Sequence, residues 1–216
     1  MPDAPVALAP HIHMARCRDD IVVLDVQGDD YTLIADAAPL IRLQPGARQI
    51  AVGPDVRRDL QALGLTVNGP PAQASQPIPR LAGEIEPWTG PLPRRLLLAA
   101  AVNSLISTAA FARTPFAVLI DRASRRRAPD RPVSEDEIAR ALAAFLAVHP
   151  WIPFEGDCLQ RGWRLHHHLH RCGVAAWWVF GVRTWPFLAH CWVQVGDRVV
   201  GDTAERVRGF SPILVV

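Results

Sequence analysis

The sequence has no C-x-x-C pair, no His-Glu-x-x-His motif, no phosphate-cradling glycine loop of the P-loop type and no internal repeat. Its four cysteines, Cys17, Cys158, Cys172 and Cys191, therefore lack the spacing of a zinc or redox site. Without the glycine loop, ATP binding has no motif to support it. A signal peptide with charged, apolar and small-residue regions is also missing, because Met1 leads straight into Pro2-Asp3. A cytoplasmic chain with free thiols is the expectation. Net charge is only +2, which gives no general electrostatic case for nucleic acid or a membrane surface. The local cluster Arg125-Arg126-Arg127 reads as a solvated helix end. The stretch from Leu96 to Ala112 is nearly uncharged, yet it is rich in alanine and contains Asn103, Ser104, Ser107 and Thr108. Those polar groups suit a buried helix and argue against membrane insertion.

What is present is an ordinary globular balance, with 50% hydrophobic and 20% charged residues over 216 positions. That length buries a real core in one large domain or two small ones. His11 to Cys17, Ile21 to Val26 and Tyr31 to Ile34 are β-prone runs separated by Arg18-Asp19-Asp20 and Gln27-Gly28-Asp29-Asp30, which predicts a three-stranded meander. A short helix is expected over Ala35 to Leu43. Another should start at Pro54 and end before Gly64, giving the order β-β-β-α-α. Seven prolines between Asn68 and Pro93 then read as a semi-rigid linker. The division that follows is 1–68 as a first domain, 69–93 as linker and 94–216 as a second domain. That second domain begins with helices over Arg94 to Arg113 and Pro115 to Arg127, and a third is opened by the capping box Ser134…Glu137.

The chemistry lies after Trp151. Asp157 is a good N-cap, so Cys158 falls in the first turn of a helix that ends at Gly173. Unpaired N–H groups and the helix dipole there favour a thiolate and can contribute to an oxyanion hole. Strands follow at Val174 to Val182, Ala189 to Val195 and Arg198 to Asp202, with Gly196-Asp197 as the last turn. His190 and Asp202 then lie at one end of a hairpin, where a base and its orienting carboxylate belong. Side-chain alternation puts them on one face only if the loop has three residues or a bulge, so one of those is predicted around Gly196 to Arg198. By the same alternation Cys191 points away from His190 as a packing residue. His166 and His170 stand at i and i+4, but no third ligand accompanies them. They read as solvated helix surface, with no metal or cofactor expected. Trp177, Trp178, Trp185 and Trp192 suit either a peptide groove or the core. Cys172, ~21 Å of helical rise from Cys158, is too far away to pair with it.

The stretch DCLQRGWRLHHHLHRCGVAAWWVFGVR, followed by PFLAHCWVQVGDRVVGD, resembles the leader peptidases of lasso-peptide biosynthesis, a transglutaminase-like cysteine protease family. The resemblance implies Cys158 as nucleophile, His190 as general base and acid, and Asp202 as the residue orienting His190. This chain departs from the family at Cys191, where a small residue is usual, and at Trp163 and His166-His167-His168. The resemblance further implies an α+β chain: a small winged-helix-like β-β-β-α-α recognition domain ahead of a transglutaminase-like (papain-like) protease domain. A leader strand would add beside Tyr31, Leu33 and Ile34 and pack against Arg57 and Leu60 of the following helix. A threonine would be the common next-to-last leader residue. The partners implied are the precursor peptide and a lasso cyclase of the asparagine-synthetase-like type. Acyl transfer through a Cys158 thioester, as in transglutaminases and arylamine acetyltransferases, and a peptide-binding scaffold with a dead triad are the alternatives.

Overall fold

The computed structural model describes residues 4–44, 46–71, 80–125, 133–152 and 158–216. In chain order its elements are β1 (Ala4–Leu8), β2 (Ile12–Cys17), β3 (Asp20–Asp25), β4 (Asp30–Ile34), β5 (Ile41–Leu43), β6 (Gln49–Val52), α1 (Pro54–Ala62), β7 (Thr66–Val67), β8 (Gly83–Ile85), α2 (Arg94–Phe111), α3 (Phe116–Ser124), α4 (Glu135–Val148), α5 (Cys158–Arg171), β9 (Trp177–Arg183), β10 (Leu188–Val195), β11 (Arg198–Val200), α6 (Ala204–Val207) and β12 (Ser211–Val215). The mixture is the α+β class expected. Three sheets run β5-β6-β1-β7, β2-β3-β4 and β12-β9-β10-β11-β8.

The chain divides into two compact units, the first made of Met1–Ile78 with Phe180–Ala189 and Phe210–Val215. Within it the antiparallel meander β2-β3-β4 forms as read from the sequence, with Ile21 opposite Ile34 and Leu24 opposite Tyr31. Its core joins Val6, Leu8, Ile12, Ile21, Ile50 and Leu60, with Ile34 packed against it. Buried Arg48 donates to the carbonyls of Ile12 at 2.6 Å, Ala9 at 2.8 Å and Pro10 at 3.1 Å, so its charge is spent on backbone oxygens. In the Phe180–Ala189 segment, the Trp185 indole N–H donates to Asp20 Oδ2 at 2.9 Å and Phe187 packs its ring 5.9 Å from that of Tyr31.

The helix expected over Ala35 to Leu43 does not form. Asp36 adopts φ +54°, Pro39 follows three residues later, and the segment turns twice on the Ala37 carbonyl before pairing as β5 with β6. A left-handed residue and a proline together outweigh the helix propensity of the alanines. The order β-β-β-α-α is therefore replaced: among the described residues, six strands precede α1 and β7 follows it. Within the expected linker, residues 83–85 are β8, paired in parallel with β11. The Arg140 guanidinium lies 4.3 Å above the Trp88 ring, and the Trp88 main-chain N–H donates to the Ala139 carbonyl at 3.1 Å. Prolines flanking a three-residue strand are compatible with an edge position.

The second unit contains Pro79–Val179 and His190–Gly209. The helix α2 packs against α4 and α5 through a narrow face of Ala100, Asn103, Ser104 and Ser107, leaving Leu98, Val102, Leu105 and Ile106 outside. Small residues allow the close approach, and Ser107 Oγ donates back to the Asn103 carbonyl at 2.7 Å. No helix among the described residues is long and apolar enough to cross a membrane. The capping box that opens α4 is complete, with Ser134 N–H to Glu137 Oε2 at 3.0 Å and Glu137 N–H to Ser134 Oγ at 3.3 Å. Arg127, the expected end of α3, and Arg126 lie outside the described residues, whereas Arg125 pairs with Asp121 at 2.8 Å.

Candidate active site

Cys158 is the first residue of α5, as the sequence predicts; its expected N-cap, Asp157, lies outside the described residues. One face of α5 is buried deeply, with Trp163, Arg164 and Leu169 at 1% exposure or less, which anchors the nucleophile end against the sheet and helices. His166, expected with His170 on a solvated surface, is 1% exposed, as is His168, while His170 is half-buried. The reason is satisfied hydrogen bonding: His166 Nε2 meets the Ala176 carbonyl and His168 Nε2 the Ala141 carbonyl, both at 3.1 Å. Trp178 and Trp192 belong to the core, while Trp185 is 69% exposed.

His190 lies on β10 and Asp202 just beyond β11. Their side chains meet with His190 Nε2–H donating to Asp202 Oδ2 at 2.6 Å. Asp202 Oδ1 accepts the Thr203 N–H at 2.8 Å, so both carboxylate oxygens are fixed. With Nε2 committed to Asp202, the other ring nitrogen, Nδ1, serves the Cys158 sulfur, to which His190 is hydrogen-bonded. The indole ring of Trp192 stacks 6.2 Å from the imidazole. These groups surround a cleft of about 200 Å³ whose lining includes Leu165, Cys191 and Arg206.

The parity expectation fails in an instructive way. Val195 pairs directly with Arg198 and Val193 with Val200, so the Gly196-Asp197 loop has two residues and no bulge. Gly196 supplies the positive φ of +57° that such a tight loop requires at its first position. Asp202 nevertheless reaches His190 because the strand stops at Val200. Gly201 then turns the chain at φ +75°, and alternation no longer governs Asp202. A β-carbon on Gly201 would lie 2.8 Å from Leu165 Cδ2, so the turn also depends on a missing side chain. Arg161 Nη2 donates to the Gly201 carbonyl at 3.1 Å, tying this turn to α5. Sequence reading missed both residues; Gly201 following β-branched Val199-Val200 was the available signal.

Electrostatics place charge on the pair. Bonds from the Cys191 and His190 side chains, joined by the Cys191 N–H and the His190 charge, overcome desolvation and bring the Cys158 thiol down to about 4. Burial alone would lower the His190 value; its bonds to Asp202 and Cys158 outweigh that and raise it to about 9. Burial likewise works to raise the Asp202 carboxyl, but the His190 and Thr203 bonds hold it below the usual carboxylate range. At neutral pH the site is a thiolate beside an imidazolium steadied by a carboxylate, an arrangement able to form and resolve a thioester. Cys191, expected to be a packing residue, is buried at 5% exposure, and its thiol also donates to the Cys158 carbonyl at 3.2 Å.

The residues expected to meet a leader peptide all fall in the first unit. Tyr31, Leu33 and Ile34 are half-buried on β4, which pairs with β3 on one side and stands at the end of its sheet. Arg57 is half-buried on α1, whereas Leu60 is 4% exposed inside the core, which removes it as a contact residue. Among the described residues no group of three or more His, Cys, Asp or Glu is arranged to hold a metal.

No solved structure matches the chain significantly. A 49-residue segment is 43% identical to the microcin J25-processing protein McjB of Escherichia coli, spanning 23% of this chain and 24% of that protein. The chain thus covers about a quarter of that relative's length. The model of the Transglutaminase-like superfamily matches residues 102–215, a span that takes in Cys158, His190 and Asp202. Because that match extends over more than half of the sequence, the chain belongs to the transglutaminase-like superfamily.

Proposed function

We propose that this chain is a cysteine peptidase that removes the leader from a ribosomally made lasso-precursor peptide, leaving the core ready for cyclisation. The observation that carries the reading is the charged Cys158–His190 pair with Asp202 bound at 2.6 Å. The partial identity to a microcin-processing protein points the same way. In the mechanism, the Cys158 thiolate attacks the carbonyl carbon of the last leader residue. Backbone N–H groups at the start of α5 stabilise the oxyanion. His190 gives its proton to the departing amine, and the C–N bond breaks to leave a thioester. Neutral His190 then takes a proton from water as the oxygen attacks, and the C–S bond breaks to restore thiolate and imidazolium and release the leader carboxylate.

Capture of the leader is assigned to the first unit, by strand addition at the β4 edge near Tyr31, Leu33 and Ile34. Tethering of this kind raises the local concentration of the cleavage site, so the cleft itself can be unselective. A cyclase of the asparagine-synthetase-like type is the partner that would take the freed core.

The test is incubation with a leader-bearing precursor. Wild type should release a leader with a free carboxylate, and Cys158→Ala should bind the precursor without cutting it. Backbone N-methylation at alternate leader positions should weaken binding by roughly 2–10-fold per strand hydrogen bond lost. Cleavage by Cys158→Ala would overturn the nucleophile, a leader conjugate in place of the free acid would favour acyl transfer, and indifference to N-methylation would remove strand addition.

A further inference from the structure

Cys191 sits where the mechanism above gives it no role. It follows His190 on β10 with its side chain 5% exposed, and its sulfur packs so closely on α5 that a β-carbon at Gly162 would lie 3.2 Å away. Its thiol donates to the Cys158 carbonyl at 3.2 Å. A carbonyl oxygen in a helix has two lone pairs and the helical bond uses one, so the first turn of α5 retains an acceptor for this thiol. Both the thiol and the main-chain N–H of Cys191 also reach the Cys158 sulfur. The single S–H proton therefore has two acceptors on one residue, an oxygen and a sulfur, and the sulfur is the better acceptor when it carries charge.

We propose that Cys191 is a positioning residue for the nucleophile, holding the first turn of α5 through the Cys158 carbonyl and donating its S–H to the Cys158 sulfur when that sulfur is anionic. The consequence is directional. A donor to the resting thiolate stabilises the ionised form and opposes protonation in acid. Once the sulfur is acylated the charge is gone, and the proton returns to the carbonyl oxygen. His190 faces the sulfur from β10, and Asp202, Arg206 and, from α5 itself, Arg161 are the other charged groups lining the cleft. Replacing Cys191 leaves all four in place.

The proposal takes Cys158 as the nucleophile from the reading above, but its test needs no substrate and so fails separately. Iodoacetamide alkylation of Cys158 is followed against pH by mass spectrometry of the peptide that contains it, in wild type and in Cys191→Ser, Cys191→Ala and Cys191→Val. Serine keeps an O–H donor. Alanine and valine have none, and valine also fills the site beside Gly162 should alanine fail to fold. The expected result is an acid limb near wild type for serine and a limb at least one pH unit higher for alanine and valine. A one-unit displacement means about tenfold less thiolate at a pH below both limbs, with little change at neutral pH. A purely structural defect would depress alkylation at all pH values equally. Limbs for alanine and valine that coincide with wild type, or a serine limb displaced as far as theirs, would overturn the proposal.

Discussion

Protonating Cys158 and deprotonating His190 break the same ion pair from opposite sides, which sets the pH behaviour expected of the site. The thiol is held down at about 4, so the nucleophile is lost as pH falls through that value. The imidazolium is held up at about 9, so the proton needed by the leaving amine is lost as pH rises through it. A plot of kcat/KM should therefore be flat in between and fall on both sides, the two limbs belonging to the coupled pair. Asp202→Asn removes a charge that raises His190, so its alkaline limb should move to lower pH. Its kcat/KM should drop by about 10²–10⁴-fold with the fold intact. An alkaline limb that stays in place would separate Asp202 from His190 function. At this scale much was legible in the sequence. Cys158, His190 and Asp202 are chemically distinctive residues, each at an element boundary that capping and turn signals locate. Cys191 is buried as expected, but its contact with Cys158 was not legible, because alternation along a strand says which face a side chain takes and not which helix covers that face.

Among elements, the hairpin β10–β11 brings His190 and Asp202 together by a different route from the three-residue loop or bulge expected. A two-residue loop puts His190 and Asp202 out of phase, and the Gly201 turn restores contact by ending the strand. Gly201→Ala places an L-residue at φ +75°, at a cost of roughly 1–2 kcal/mol, and drives its β-carbon to 2.8 Å from Leu165. Thermal denaturation should register a lower Tm, and activity should fall more than stability does because Asp202 is displaced. Unchanged activity would mean that the turn does not position Asp202. Long or capped elements were readable beforehand: α2 from its apolar run, α4 from Ser134 and Glu137, α5 from Gly173. β5, β7 and β8 have two or three residues each, and β1 contains Pro5; none offers the run of alternating residues that marks a strand. The helix expected over Ala35 to Leu43 fails because Asp36 takes a left-handed turn conformation and Pro39 follows it.

At the scale of the whole molecule, the sequence suggested two domains divided by a proline-rich linker, and the chain forms two compact units whose membership is not sequential. The segment Phe180–Ala189 and the strand β12 belong with the N-terminal residues. Sequence patterns report local structure, and no local signal in Trp185 or Phe187 predicts contact with Asp20 or Tyr31, some 150 residues away (165 between Asp20 and Trp185). Thioester chemistry at this site depends on Cys158 being an anion at neutral pH. The most direct measurement is the thiolate ultraviolet absorbance of the wild type against pH, with Cys158→Ala subtracted so that the other three cysteines cancel. The expected difference curve has a midpoint at about 4. A midpoint in the ordinary thiol range, about 8.5, would contradict it.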